Sequence, residues 1–217
     1  MTAPERVVEV SADRFPGWLA RFESNNPAGP THLVAVDWFR HDPLGIILVR
    51  RGGYAVGLAH GDRLTAHKVG TRYVQSRTAA GGWSQQRFAR RRANQADGLV
   101  GAVAEHAVRL LGAPGVSQTP GVSSSGVVGA QGVSPSGAGG EPGLVGEWAA
   151  YGPGLVVGGD RRLVAAVLED PRLRGWAAVD LREYFDIVDP NRGVLDTILK
   201  RARCARITLR DDVARAH

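Results

Sequence analysis

From Thr31 to Val74, apolar residues fall in four short runs separated by turn residues. THLVAVDWF (Thr31 to Phe39), LGIILVR (Leu44 to Arg50), YAVGLAH (Tyr54 to His60) and RLTAHKVGTRYV (Arg63 to Val74) are rich in β-branched and aromatic side chains. Arg51-Gly52-Gly53 and Gly61-Asp62 join the last three runs, and joints this short read as antiparallel hairpins. Upstream, Val7 to Val10 alternates weakly and predicts a short strand. Phe15, Trp18, Leu19 and Phe22 recur at spacings of three and four, which predicts a helix with Ser11 as its cap and Pro16 in its first turn. NNPAGP, from Asn25 to Pro30, reads as a loop.

The period changes at Gln85. From there to Leu111, positions Phe88, Arg92, Ala96, Leu99, Val103, Ala107 and Leu110 fall along one helical face, but only the later ones are apolar. The spacing therefore predicts one long helix whose C-terminal half packs on a sheet while its arginine-rich half projects. Arg87, Arg91 and Asn94 share a side of that helix. Residues 113–146 are mostly Gly, Ser and Pro with few large apolar side chains, and are expected to be a disordered insert. After it come a strand at GLVVGG (Gly154 to Gly159), a helix capped by Asp160 and running to Leu168, a strand at Trp176 to Leu181, a helix at Gly193 to Arg203 and a last strand at Ala205 to Leu209.

This order predicts an α/β protein, a mixed sheet that opens with an antiparallel meander and carries flanking helices. It is the element order of ribonuclease-H-like folds, here with a protruding Gly-Gly loop leading into a long basic helix. Residues 31–112 and 147–217 are expected to form the α/β domain, with 1–30 an N-terminal extension and 113–146 the insert.

Charge sharpens the picture. The 217 residues contain 27 Lys+Arg and 21 Asp+Glu. Arg72, Arg77, Arg87, Arg90, Arg91 and Arg92 all lie between Thr71 and Gln95, a stretch without a carboxylate, so the rest of the chain carries 21 charges of each sign. A neutral body with one basic arm suits delivery of a few polar groups to a polyanion such as nucleic acid. Cys204 is alone, which leaves no disulfide framework or Cys-type metal site, and a reducing, cytoplasmic setting is expected. MTAPERVVEV lacks the pattern of a signal peptide, and no apolar segment reaches the roughly 18 residues of a membrane span.

Catalytic constellations outside the arm are scarce. Cys204 reads as a small buried hydrophobe, and His60 and His67 as ordinary strand histidines. A metal nuclease would need several converging carboxylates, and Asp37 and Asp180 are the only candidates. No metal and no small-molecule cofactor are expected. Gly158-Gly159-Asp160 lacks the Lys and the spacing of a phosphate-binding loop, so helix capping is the preferred reading. The tip of the arm is different. Gly81 and Gly82 free the backbone for positive φ and close approach to a partner. The glutamines that follow have amides that can hold a water molecule while being held themselves. That suits a reaction in which water is positioned at an ester and other groups supply the electrostatics.

These residues resemble a known family. The middle domain of eukaryotic and archaeal class I release factors carries GGQSALRFARLR, and this chain reads GGWSQQRFARRR from Gly81 to Arg92, with eight of twelve positions shared, RFAR among them. Within that relationship the chain resembles the Vms-like branch, the actinobacterial release-factor-type peptidyl-tRNA hydrolases. The resemblance is dense over residues 68 to 96 and looser over 31 to 209. It implies a ribonuclease-H-like fold without nuclease chemistry. It also implies a loop that reaches the peptidyl transferase centre and hydrolyses the ester joining peptide to tRNA.

The implied catalytic group is Gly81, Gly82, Ser84 and Gln85, with Gln86 the alternative glutamine. Trp83 stands where class I factors place theirs. The six arginines would hold rRNA or tRNA phosphates, and the implied partners are the large ribosomal subunit, rRNA and peptidyl-tRNA, with no membrane. The codon-reading and partner-binding domains of class I factors have no counterpart in the sequence, so the expected role is rescue of stalled nascent chains. The alternative is a non-catalytic ribosome- or RNA-binding module of the same fold. Deleting Pro114 to Pro142 should leave the melting temperature and peptide release nearly unchanged, since such a segment buries little. A large loss in thermal unfolding would show that the insert packs.

Overall fold

In the computed structural model the described residues are 5–27, 29–71, 84–114 and 151–211, and from 84 to 93 the description is of the backbone alone. Their elements are β1 (Glu5–Val10), α1 (Phe15–Asn25), β2 (Thr31–Trp38), β3 (Leu44–Arg50), β4 (Gly53–His60), β5 (Arg63–Thr71), α2 (Ser84–Leu111), β6 (Gly154–Gly159), α3 (Arg161–Leu168), the short α4 (Arg174–Ala177), β7 (Asp180–Tyr184), α5 (Arg192–Ala202) and β8 (Ala205–Asp211). The Gly-Gly tip and residues 115–146 of the insert lie outside the described residues.

The architecture is α/β. A mixed five-stranded sheet has the order β5-β4-β3-β6-β7. β3, β4 and β5 form the antiparallel meander expected from their short joints, and β6 and β7 add in parallel beside β3. LGIILVR is apolar without alternation because β3 is central and covered on both faces, and Leu44 to Val49 are all buried. One face packs α2, α3 and α4 through Ile47, Val56, Leu99, Val103, Val164 and Trp176. The other packs α5 through Leu44, Ile46, Leu195 and Ile198.

Three expectations about the secondary-structure elements are corrected. β8 does not join the five-stranded sheet. It is the centre of a second, antiparallel sheet ordered β1-β8-β2. Its alternation explains this: Ala205, Ile207 and Leu209 are buried while Arg206, Thr208 and Arg210 are not, the pattern of a half-buried antiparallel strand. The buried face takes α1 through Phe15, with Trp18, Phe22, Val36 and Trp38 around it. Ser11 does not cap α1 with its side chain. Its carbonyl accepts from the Arg14 and Phe15 amides at 3.0 Å, and the helix starts at Phe15 without a side-chain cap. The run from Trp176 to Leu181 is not a strand, because Trp176 belongs to α4 and β7 starts at Asp180. Asp170 caps the turn that leads into α4, so the chain is already helical when it reaches the tryptophan.

Cys204 is half-buried rather than buried. Its thiol donates to the Lys200 carbonyl at 3.3 Å, and burial raises its pKa. The Gly158-Gly159 turn serves packing. A Cβ on Gly158 would sit 2.3 Å from the Tyr184 carbonyl, and one on Gly159 2.1 Å from that of Val49. Asp160 then caps α3, accepting from Arg162 N at 3.0 Å and Leu163 N at 3.3 Å. At the near end of the insert, Pro114 lies 2.7 Å from where a Cβ on Gly175 would be, so the cleanest deletion begins at residue 115.

Trp176 is the largest fully buried side chain, its ring over Gly45 and its indole N–H on the Gly112 carbonyl at 2.8 Å. Trp176→Ala should cost about 3–5 kcal/mol in urea unfolding. A loss under about 1 kcal/mol would mean the site collapses around the gap.

Candidate functional site

The site grows from one strand and one helix. β5 is an edge strand of the five-stranded sheet, and its last residue, Thr71, pairs with Gly53. Tyr54 lies across Gly70, where any Cβ would stand 2.4 Å from the ring, so the strand that leads into the arm is seated by an aromatic ring on a glycine. The chain returns as α2, 28 residues long and so roughly 42 Å end to end.

The C-terminal half of α2 packs as the sequence expects. Leu99, Val103, Ala104, Ala107 and Leu111 are buried against the sheet and α3. At the far end, Ser84, Gln85 and Gln86 open the first turn, and Arg87, Arg90, Arg91 and Arg92 follow within the next two turns. Positions 87, 91 and 94 fall on one side by the helical repeat. The first turn holds no acidic residue. The positive end of the helix dipole and four arginines therefore share one region, an arrangement fitted to negative charge. Gly81, Gly82, Arg72 and Arg77 lie outside the described residues.

A charged clamp fixes the anchored half. Arg172 donates to Glu105 on α2 at 2.9 Å and to Asp170 at 2.8 Å, and Arg109 reaches Glu105 at 3.2 Å. The hydrogen bonds from Arg172 draw the Asp170 carboxyl down to about 2, and Arg172 followed by Arg109 lowers Glu105. At the C-terminus Gly112 takes φ 60° and its amide donates to Val108 O at 3.1 Å. His106 stacks on Tyr54 with ring centroids 5.6 Å apart. Burial lowers its pKa, and Lys68 and Arg109 lower it further.

Asp37 and Asp180 do not converge. Asp37, on β2, pairs with the buried Arg182, and Asp180, at the start of β7, lies 3.2 Å from His41. Among the described residues no group of three His, Cys, Asp or Glu side chains is placed to hold a metal ion. His60 lies 3.5 Å from Asp42, and His67 meets Arg192 at 2.9 Å. The buried arginines escaped the sequence reading. Arg182 donates to the Ala202 and Cys204 carbonyls, and Arg203 to those of His41, Gly61 and Phe39. Desolvation brings Arg203 down to about 10, against the pull of Asp42 and Asp62. An Arg inside DLREY or RARCARI gives no sequence signal of burial.

Fold and site together define an α/β protein whose long helix carries arginines in its N-terminal turns. The profile of the Actinobacteria/chloroflexi VLRF1 release factor matches residues 42–208, well over half of the chain, and the chain belongs to that family. Membership indicates a release-factor-like role in translation. No curated protein matches the chain. No described helix is long and apolar enough to cross a membrane.

The clamp has a pH signature. Asp170 titrates lower in the folded chain than its ordinary value of 3.8, so its contribution is present above that value and lost as pH falls towards about 2. The stability gap between wild type and Arg172→Ala should therefore shrink over that window in urea midpoints. A gap independent of pH would assign Arg172 to packing alone.

Proposed function

We propose that this protein hydrolyses the ester between nascent peptide and tRNA on stalled ribosomes or large subunits, acting in the cytoplasm in ribosome rescue and quality control. In this reading residues 31–112 and 147–217 form the release-factor-like domain, with the ribonuclease-H-like arrangement that the resemblance implies. The observation that carries it is the place of the glutamines. Gln85 and Gln86 stand in the first turn of α2, at the positive helix end, immediately before four arginines.

The chemistry follows from that place. Gln85 orients a water whose oxygen attacks the ester carbonyl carbon. The bond to the tRNA ribose oxygen breaks, the peptide leaves with a carboxyl group, and the ribose oxygen takes a proton. Negative charge builds on the carbonyl oxygen in between, and backbone amides at a helix start, with arginines behind them, are suited to stabilise it. Gly81 and Gly82 let the backbone approach the ester, and Ser84 lies beside the glutamine. Arg72, Arg77, Arg87, Arg90, Arg91 and Arg92 hold rRNA and tRNA phosphates, which fixes position without reading sequence. Trp83, at the position of the class I glutamine, favours a second reading, a ribosome-binding module without chemistry.

Peptide release from purified peptidyl-tRNA–ribosome complexes separates the two. Gln85→Ala should slow release by roughly 10²-fold or more, the scale for removing one well-placed polar group at a developing charge. Binding should stay within a few-fold, because the arginines dominate affinity. Gly82→Ala should slow release similarly if that residue uses positive φ. A dead Gln86→Ala with an active Gln85→Ala moves the role to Gln86. Wild-type rates in both single variants and in the double variant would leave the binding module.

A further inference from the structure

Outside the arm the charges of each sign are equal in number, but they are not evenly placed on the body. β3, β6 and β7 run in parallel, and β5 runs with them, so their carboxyl ends lie at one end of the sheet. The arm leaves from that end. Thr71 pairs with Gly53, and Gly53 pairs in turn with Arg50 across the β3–β4 turn. Asp42, Asp62 and Asp180 lie at the opposite end, while Asp160, Asp186 and Asp189 follow β6 and β7 at the end where the arm leaves.

Four exposed arginines cluster beside the point where the arm leaves. Arg50 ends β3, Arg51 opens the β3–β4 turn, and Arg161 and Arg162 are the first two residues of α3. The turn and the helix start are neighbours, since Arg51 lies 3.8 Å from Asp160, the residue that caps α3. That pair and the one between Arg50 and Asp189, at 3.9 Å, are longer than hydrogen bonds; most of Arg51 is left to solvent, whereas Arg50 is about half exposed and also donates to the Ile187 carbonyl. Among the described residues Arg161 and Arg162 have no ion pair. The Arg161 guanidinium lies 4.1 Å from the Phe185 ring centroid, which holds it in place without neutralising it.

The arginines on α3 stand at a positive helix end. The cap, Asp160, supplies one carboxylate there, but the first turn itself carries two cations and no acidic residue. A further anion at that end offsets their repulsion. A single phosphate bound at the helix start would not need Arg51 as well. A run of phosphates would, because the cations stand on two separate elements beside the arm.

We propose that this end of the sheet is a second RNA-backbone contact, in which Arg51, Arg161 and Arg162, with Arg50, hold phosphates of the same RNA that the arm approaches. It rests on the release reading above. The arm supplies reach, and the platform sets how far the body advances. Contacts to phosphate carry no sequence information, so the platform acts on RNA shape and charge alone.

The test is binding of the full chain to purified large ribosomal subunits over a range of KCl concentrations. Arg161→Glu/Arg162→Glu should weaken binding roughly tenfold or more and flatten the plot of log affinity against log salt by about 1 to 2, as expected when two phosphate contacts are lost. Its melting temperature should equal or exceed that of wild type, because acidic residues suit the first turn of a helix. Arg51→Gln, on the other element and with the cap intact, should flatten the slope by about 1. Arg90→Ala/Arg91→Ala reports on the arm in the same assay.

Wild-type binding that fails altogether sinks the release reading and the platform with it. Wild-type binding weakened by the arm variant, but unchanged in affinity and slope by Arg161→Glu/Arg162→Glu and by Arg51→Gln, overturns the platform alone. If the Glu pair lowers the melting temperature, the Arg51→Gln slope decides.

Discussion

One continuous helix has to satisfy two environments, and most of the structure follows from that. The C-terminal half of α2 is held by burial of Leu99, Val103, Ala107 and Leu111 and by the Arg172 clamp. The N-terminal half is too cationic to pack on a protein core, since four arginines within six residues would each need a partner to be buried. The sheet therefore has to grip about half a helix firmly enough to hold the other half in place. Tyr54 on Gly70, Trp176 on Gly112 and the capped start of α3 all serve that grip.

The two sheets meet through buried cations rather than through a continuous apolar layer. Arg182 on β7 reaches the β8 backbone and Asp37 on β2, and Arg203 collects carbonyls from the segments before β3 and after β4. Each of these arginines uses several donors at once, which is the property that distinguishes guanidinium from ammonium in a buried joint. Tyr184 is sandwiched near the same seam, with Arg201 and Arg206 lying 4.6 and 4.7 Å from its ring centroid. The segment that the family profile does not cover, β1, α1 and β2, attaches through β8, so its sheet depends on the last strand of the matched region.

The sequence was legible where period and turn chemistry agree. The meander, the long helix, the Asp160 cap and the strands around Gly154 and Ala205 all follow from local pattern. It failed where tertiary partners decide. β8 alternates as any half-covered strand does, and nothing local says which sheet it joins. The run beginning at Trp176 is apolar and short, so period cannot tell a buried helical turn from a strand. In the candidate site, RFAR and the glycine pair singled out the glutamines and arginines, and positions 84 to 92 fall in the first turns of α2. The arginines on α3 were not, because a neutral sum over the body hides how charge is distributed on it.

The gripped half of α2 also makes the helix a lever. From Leu99, the first buried residue among the described side chains of the helix, to Ser84 the axis runs roughly 22 Å. A tilt of about 5° at the grip moves the tip by roughly 2 Å, more than the misplacement of about 1 Å that can already cost two orders of magnitude in rate. Packing under Leu99 and Val103 therefore sets aim as well as stability. If the proposed reaction takes place at the first turn, side chains beneath the anchored half, such as Tyr54 and Val164, set where that turn lies, and a conservative change beneath the helix would be silent in a melting curve yet register in the rate of peptide release.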